Sequence, residues 1–165
     1  GREIATCIVD VTETYTRFQP VDGVAAPCAA AVLHGKPAAV TVRLVFSDVR
    51  GNPGRDLLVH FGREVVACMS HDAFVHPWQV DNATGEVPCL DAPWAQYAFP
   101  LLLVEGSHWL ASFSDSQVGD GERAVARHFR FVSLANIVDV LALGDVEAEW
   151  ILPALQRIVE ADGRA

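Results

Sequence analysis

Two groups of residues in this chain have the types and spacing that chemistry needs. The first is Cys68-Met-Ser-His71-Asp72, with His76 close behind. Thiolate, imidazole and carboxylate are the ligands zinc takes, and Cys-x-x-His is an acceptable chelate spacing. Cys68, His71, Asp72 and His76 are therefore the metal set if the chain holds a metal, and zinc is the ion they suit. No second Cys-x-x-Cys or His-x-x-x-His follows, so Cys89, His34 or His60 would have to complete the tetrahedron from elsewhere in the fold. The simpler reading needs no cofactor: Cys68 is buried at a strand end, and His71-Asp72 caps a loop. The sequence favours that reading.

The second group comes from the stretch between Ser107 and Ser133. Read with period two, Trp109, Ala111 and Phe113 share one face, and His108, Leu110, Ser112 and Ser114 the other. After a polar loop the alternation resumes, with Phe129 and Phe131 opposite His128 and Arg130. Such alternation suits a half-buried strand, whose successive side chains point to opposite faces. Pairing Phe113 with Phe129 would set Ala111 against Phe131, Ser112 against Arg130 and Ser114 against His128. The outer face of that hairpin would show His108, Ser112, Ser114, His128 and Arg130. Arg130 offers a planar donor fork and the hydroxyls further donors, so the face suits a small anion. An exposed sheet face is also polar for solubility alone, with Arg130 paired to a nearby carboxylate, and this is the favoured expectation.

Other chemistry leaves no motif. There is no Gly-x-Ser-x-Gly elbow, no cysteine-protease signature, no Gly-x-Gly-x-x-Gly and no phosphate-binding loop. A triad is defined by geometry rather than by order along the chain, so only the fold can show one. Glu147 and Glu149 share a face and read as a solvated edge.

The elements that must position these residues read mainly as strands. Ile4 to Phe18, rich in Val, Thr and Tyr, forms a strand or a bent pair. Pro20 to Pro37 reads as a long loop or a short helix at the sheet edge. Val40, Val42, Leu44 and Phe46 alternate with polar neighbours, Gly51-Asn-Pro-Gly54 makes a turn, and Leu57, Val59 and Phe61 alternate again. Gly62-Arg63 fits a type II′ turn into Glu64–Ser70, which predicts a three-stranded meander. The proline-rich stretch from His71 to Pro100 carries Trp78, Trp94 and Tyr97, which pin it to the core or line a pocket. Leu101–Glu105 is a strand turning at Glu105-Gly106. For residues 134–152, helical spacing competes with β-branched content and a Gly144-Asp145 turn, and a strand hairpin is preferred. Pro153 then opens a C-terminal helix ended by Gly163.

These elements predict a single mainly β (α+β) domain over residues 1–165, an antiparallel barrel- or sandwich-like fold with a C-terminal helix. A length of 165 residues with 51% hydrophobic content supports one core and argues against disorder. A net charge of -9 excludes the phosphate-neutralising surface of a nucleic-acid binder. No apolar run reaches the about 20 residues that cross a bilayer, so no membrane partner is expected. The N-terminus does not read as a secretory signal, although a leader removed before Gly1 would leave no trace. Asn82-Ala-Thr84 matches a glycosylation sequon by a pattern short enough to arise by chance. Four widely spaced cysteines, Cys7, Cys28, Cys68 and Cys89, read as mostly buried free thiols in a reducing cytoplasm. The strand at Val146–Ile151 reads as an edge through which a homodimer would pair.

For function, the absence of any catalytic signature favours a small acidic cytoplasmic domain that binds a small molecule or a protein without reacting. The alternative is a metal-dependent or His/Arg-based enzyme acting on a small anionic substrate.

Overall fold

The computed structural model describes residues 12–36, 38–50, 54–62, 64–80 and 86–153. Within them run the strands β1 (Thr14–Arg17), β2 (Ala30–His34), β3 (Thr41–Val45), β4 (Asp56–Phe61) and β5 (Val65–Asp72). A short helix α1 (Pro77–Val80) leads towards β6 (Leu101–Glu105) and the helices α2 (His108–Ser112) and α3 (Asp120–Val125). The strands β7 (Arg127–Val132), β8 (Asn136–Ala142) and β9 (Val146–Ile151) follow. None of the described helices is long and apolar enough to cross a membrane.

Among the described residues the strands form two antiparallel sheets and no closed barrel. One has the order β1-β6-β7-β8-β5 and the other β2-β3-β4-β9. Alternation decides what each sheet contributes to the core. Val42 and Leu44 of β3, Leu57 and Val59 of β4, and Phe129 and Phe131 of β7 are all fully buried in one apolar cluster. Phe61 joins the sheets, its ring 5.5 Å from Phe129 and 6.2 Å from Phe131, both edge-on. Of the two architectures expected, the sandwich-like one fits these contacts.

Polar side chains act as locks at two places, one between the sheets and one within the second sheet. Asn136, opening β8, uses its amide like a strand: Oδ1 accepts from Ala31 N–H at 3.0 Å, and Nδ2 donates to Ala31 O at 2.8 Å. Asp56, buried at the start of β4, accepts from the backbone N–H groups of Phe46 and Ser47, both at 3.1 Å. That closes the β3–β4 turn without leaving buried donors unmet.

Several expectations change. The β3–β4 pair forms as expected, but the third strand of the meander does not join it. β5 instead pairs with β8 in the other sheet. The chain changes sheets at Gly62, whose N–H donates to Asp145 O. Residues 136–142 and 146–151 are strands, yet they do not pair as a hairpin, because β9 crosses at Gly144-Asp145 to pair with β4. β9 is then an edge strand, as its alternation suggests. The Pro20–Pro37 stretch contains β2 rather than only a loop or helix, with Gly35 at φ +103 making its turn towards β3. A Cβ at Gly35 would fall 2.1 Å from Ala39 O, so no other residue fits there.

The largest correction concerns Ser107–Ser133. No hairpin joins residues 108–113 to β7, whose neighbours are β6 and β8. Trp109 and Phe113 lie four apart, a spacing that suits one helix face as well as one strand face. Two local features settle it as helix: Gly106 turns the chain at φ +67, and Ser107 Oγ caps α2 by accepting from Leu110 N–H at 3.0 Å. The helix expected after Pro153, the Asn82-Ala-Thr84 sequon, Cys7 and most of the Ile4–Phe18 strand fall outside the described residues.

Candidate functional site

β8 is buried along its length from Ile137 to Ala142, and in the middle of that apolar run stands Asp139 with no exposed surface. A carboxylate there is tolerated only if it is paired and its lone pairs are used. Arg130 lies directly opposite on β7, with Nε donating to Asp139 Oδ1 at 2.8 Å. His128, on the same face two residues earlier, places Nε2 at 2.6 Å from the same oxygen. The turn after β5 brings His76 in, its Nε2 at 2.6 Å from Oδ2.

Hydrogen bonding fixes the protons. His76 Nδ1 accepts from Trp78 N–H at 3.1 Å, so its proton sits on Nε2 and points at Asp139. His128 Nε2 likewise faces the carboxylate, which leaves Nδ1 to Ser107, whose Oγ is 2.8 Å away. When His128 carries its proton on Nε2, the Ser107 hydroxyl donates to Nδ1 while its oxygen accepts from Leu110 N–H. Asp139 thus faces the Arg130 guanidinium and two imidazoles, one of which also meets Ser107. Burial by itself would raise the Asp139 carboxyl. The hydrogen bonds from His128 and His76 and the charge of Arg130 outweigh it, holding the group well below the usual carboxylate range.

Aromatic rings roof the cluster. The Arg130 guanidinium lies 5.0 Å from the Trp78 ring centroid and 5.7 Å from that of Tyr15, and Trp109 meets the His128 ring at 5.3 Å. Tyr15 donates its hydroxyl to Glu13 Oε2 at 2.7 Å, and Glu13 Oε1 accepts the backbone N–H of His108 at 2.8 Å. Burial, then the hydrogen bond to Glu13, pushes the Tyr15 phenol up to about 12. At the other end of α2, Arg123 donates to the carbonyls of Leu110 and Phe113 at 2.9 and 2.7 Å. The short helix that carries Ser107 is therefore held at both ends.

A cavity of about 270 Å³ opens beside this relay, at the end of β6. Leu103, Val104, Leu110 and Ala126 form its apolar wall, and Ser107 and His128 its polar side, with Glu105 and Arg127 also lining it.

Of the residues expected on the outer hairpin face, the structure brings His128 and Arg130 together, but inside. Their i, i+2 spacing does put them on one face, and that face is covered rather than solvated. Ser112 and Ser114 lie apart from them and exposed: Ser112 Oγ donates to Trp109 O, and Ser114 Oγ meets Ser116 Oγ. His108 sits at the start of α2 with its ring Nδ1 3.9 Å from Glu13. No fork is presented to solvent, because Arg130 is buried, with Nε on Asp139 and Nη1 without a hydrogen-bond partner.

The metal set is not brought together. β5 alternates, so Cys68 and Asp72 share the outward face while His71 points the other way. Asp72 accepts from Phe74 N–H at 2.9 Å, a loop-capping role, and both ring nitrogens of His76 are taken. Among the described residues no group of three His, Cys, Asp or Glu side chains is placed to hold a metal ion. Cys68 is exposed rather than buried, as is Cys89, whereas Cys28 is buried; all three are free thiols.

Sequence reasoning missed Ser107 and Asp139. A lone aspartate inside Ile137–Ala142 was the available sign, since a charge in a continuous apolar strand requires partners. Comparison with known proteins finds no matching family model, no similar curated protein and no similar solved structure.

Proposed function

We propose that this chain is a small-molecule-binding domain whose ligand occupies the cavity beside Ser107 and His128. The observation that carries the reading is the lining of that cavity of about 270 Å³, with apolar walls, one hydroxyl–imidazole pair and the exposed Glu105 and Arg127. Apolar pockets with a few fixed polar groups are the usual form of small-ligand sites, and those for drug-sized molecules run to about 300–1,000 Å³. The ligand here is smaller than that, with an apolar body and a single hydrogen-bonding group. It also carries no net charge, because the two charged residues lining the cavity, Glu105 and Arg127, are of opposite sign and the buried Arg130 is matched by Asp139.

The test is an amide-shift titration of the nitrogen-15-labelled protein with short-chain amides and ketones. Shifts should concentrate at Gly106, Ser107, Leu110, Ala126 and Arg127, and Ala126→Trp, which fills the cavity, should abolish them. Shifts that arise elsewhere, or that survive Ala126→Trp, would overturn the reading.

A further inference from the structure

We propose that Ser107 is a nucleophile and that the cavity beside it takes a small neutral ester, whose acyl group the serine accepts. The inference rests on the small-molecule reading of that cavity and adds a reaction to it. A serine hydroxyl is a weak nucleophile unless a base takes its proton and a third group orients the base. Ser107 Oγ is 2.8 Å from His128 Nδ1, and His128 Nε2 is 2.6 Å from Asp139 Oδ1. Both distances lie in the range of about 2.6–3.2 Å at which such relays operate.

Helix capping does not account for this arrangement. Capping needs only an Oγ lone pair for Leu110 N–H and leaves the hydroxyl proton free to point anywhere. Here the same hydroxyl also lies 2.8 Å from an imidazole nitrogen, and the other nitrogen of that ring is 2.6 Å from a buried carboxylate. The ring is turned so that Nδ1 rather than Nε2 meets the serine. The two nitrogens are equivalent for proton relay, because one holds the lone pair while the other holds the proton against Asp139.

The chemistry balances with water as the only co-reactant. Ser107 Oγ bonds to the ester carbonyl carbon as its proton passes to His128 Nδ1. Asp139 stabilises the imidazolium through Nε2–H without being protonated itself. Collapse breaks the bond to the leaving oxygen, which takes the proton from Nδ1 and departs as an alcohol. Water then attacks the acyl-serine by the same path, releasing the acid and restoring Ser107. Ser107 and His128 are the catalytic residues, and Asp139 is a positioning residue.

Treating the unmodified protein with phenylmethanesulfonyl fluoride and mapping peptides by mass spectrometry tests the nucleophile directly. One sulfonyl group per chain, on Ser107, is expected, with fluoride leaving. Turnover of p-nitrophenyl acetate should fall roughly 100-fold or more in Ser107→Ala, the scale of losing a positioned base and its proton. Ser112→Ala, at an exposed position of the same helix, should leave it unchanged. Asp139→Asn should lower kcat with little change in KM, a split that a loosened pocket would not give. If amides bind the cavity but no adduct forms on Ser107, the nucleophile assignment falls and the binding reading stands. If neither amides nor the sulfonyl fluoride engage the cavity, both fall. Should Ser107→Ala fail to fold, the adduct on the unmodified protein decides.

Discussion

Arg130 and Asp139 stand directly opposite one another on β7 and β8, guanidinium Nε to carboxylate Oδ1 at 2.8 Å, both in the buried part of the sheet. Everything else polar on that face is arranged around this pair. Two imidazoles complete the carboxylate, two aromatic rings cover the guanidinium, and a serine is held at the far side of one imidazole. Both imidazoles turn Nε2 towards Asp139, one on each carboxylate oxygen.

Removing one partner is therefore the severe change. Asp139→Ala leaves Arg130 as an unmatched buried cation and strips two imidazole donors of their acceptor. It should cost about 3–5 kcal/mol of folding stability, the range for breaking a buried pair from one side. The double variant Asp139→Leu with Arg130→Met removes both charges and should recover part of that loss. Urea denaturation of the three proteins checks both statements, and a single-variant cost under about 1 kcal/mol would contradict the pairing.

The same carboxylate sets the acid limb of stability. Its folded-state ionisation is depressed, so its contribution is complete above the ordinary value of 3.8 and is lost as pH falls below it. Midpoint temperatures measured downwards from pH 5 should drop, and drop less steeply in Asp139→Asn than in the unaltered chain. Equal slopes would remove Asp139 from the acid response.

How much of this was legible depended on period and on polarity. β3, β4 and β9 were readable because their alternation has one interpretation, and an edge role for β9 followed from its outward glutamates. Residues 108–113 were not, because Trp109 and Phe113 satisfy two periods at once, and the deciding features are a left-handed Gly106 and a capping Ser107. Sheet membership was hidden as well: Gly62 and Gly144-Asp145 resemble hairpin turns, and only the pairing of β5 with β8 and of β9 with β4 shows that the chain crosses between sheets there. At the site, residue types were visible at His128 and Arg130 but their surroundings were not. Whether a strand face meets water or a roof is set by distant residues, here Tyr15, Trp78 and Trp109.

Cys28 governs part of the alkaline limb. Burial pushes its thiol up to about 12 from an ordinary 9.0. The protonated form is favoured in the fold, so this stabilisation is present below pH 9 and is lost as pH rises towards 12. Cys28→Ala should flatten stability between those limits relative to the unaltered chain, as read by thermal unfolding. In the folded protein a disulfide reagent should modify the exposed Cys68 and Cys89 ahead of Cys28, and mass mapping of each site tests that order.

Asn136→Ala should show what joins β8 to β2. It removes the two bonds to Ala31, the donor to Ser70 Oγ and an acceptor of Ser133 Oγ, and leaves the Ala31 N–H and C=O without their partners. At about 0.5–1.5 kcal/mol for each bond, the expected loss is roughly 2–6 kcal/mol. Hydrogen exchange should localise the effect, with amide protection falling at Ala31 and its neighbours in β2 while β6 and β7 stay protected. Uniform loss across both sheets would mean that the amide is not a local lock.

Gly106 separates the positioning of Ser107 from its chemistry. Its φ of +67 lies in the left-handed region, where an alanine side chain strains the backbone, and the next residue is the serine that caps α2. Gly106→Ala should cost about 1–3 kcal/mol by that strain. Gly106→Asn should cost less, since asparagine visits the same region more readily. If the turn is what aims Ser107 at His128, amide binding in the cavity should weaken in the same order, alanine more than asparagine. A stability loss without any change in binding would show that α2, held by Arg123 at its far end, sets the serine by itself.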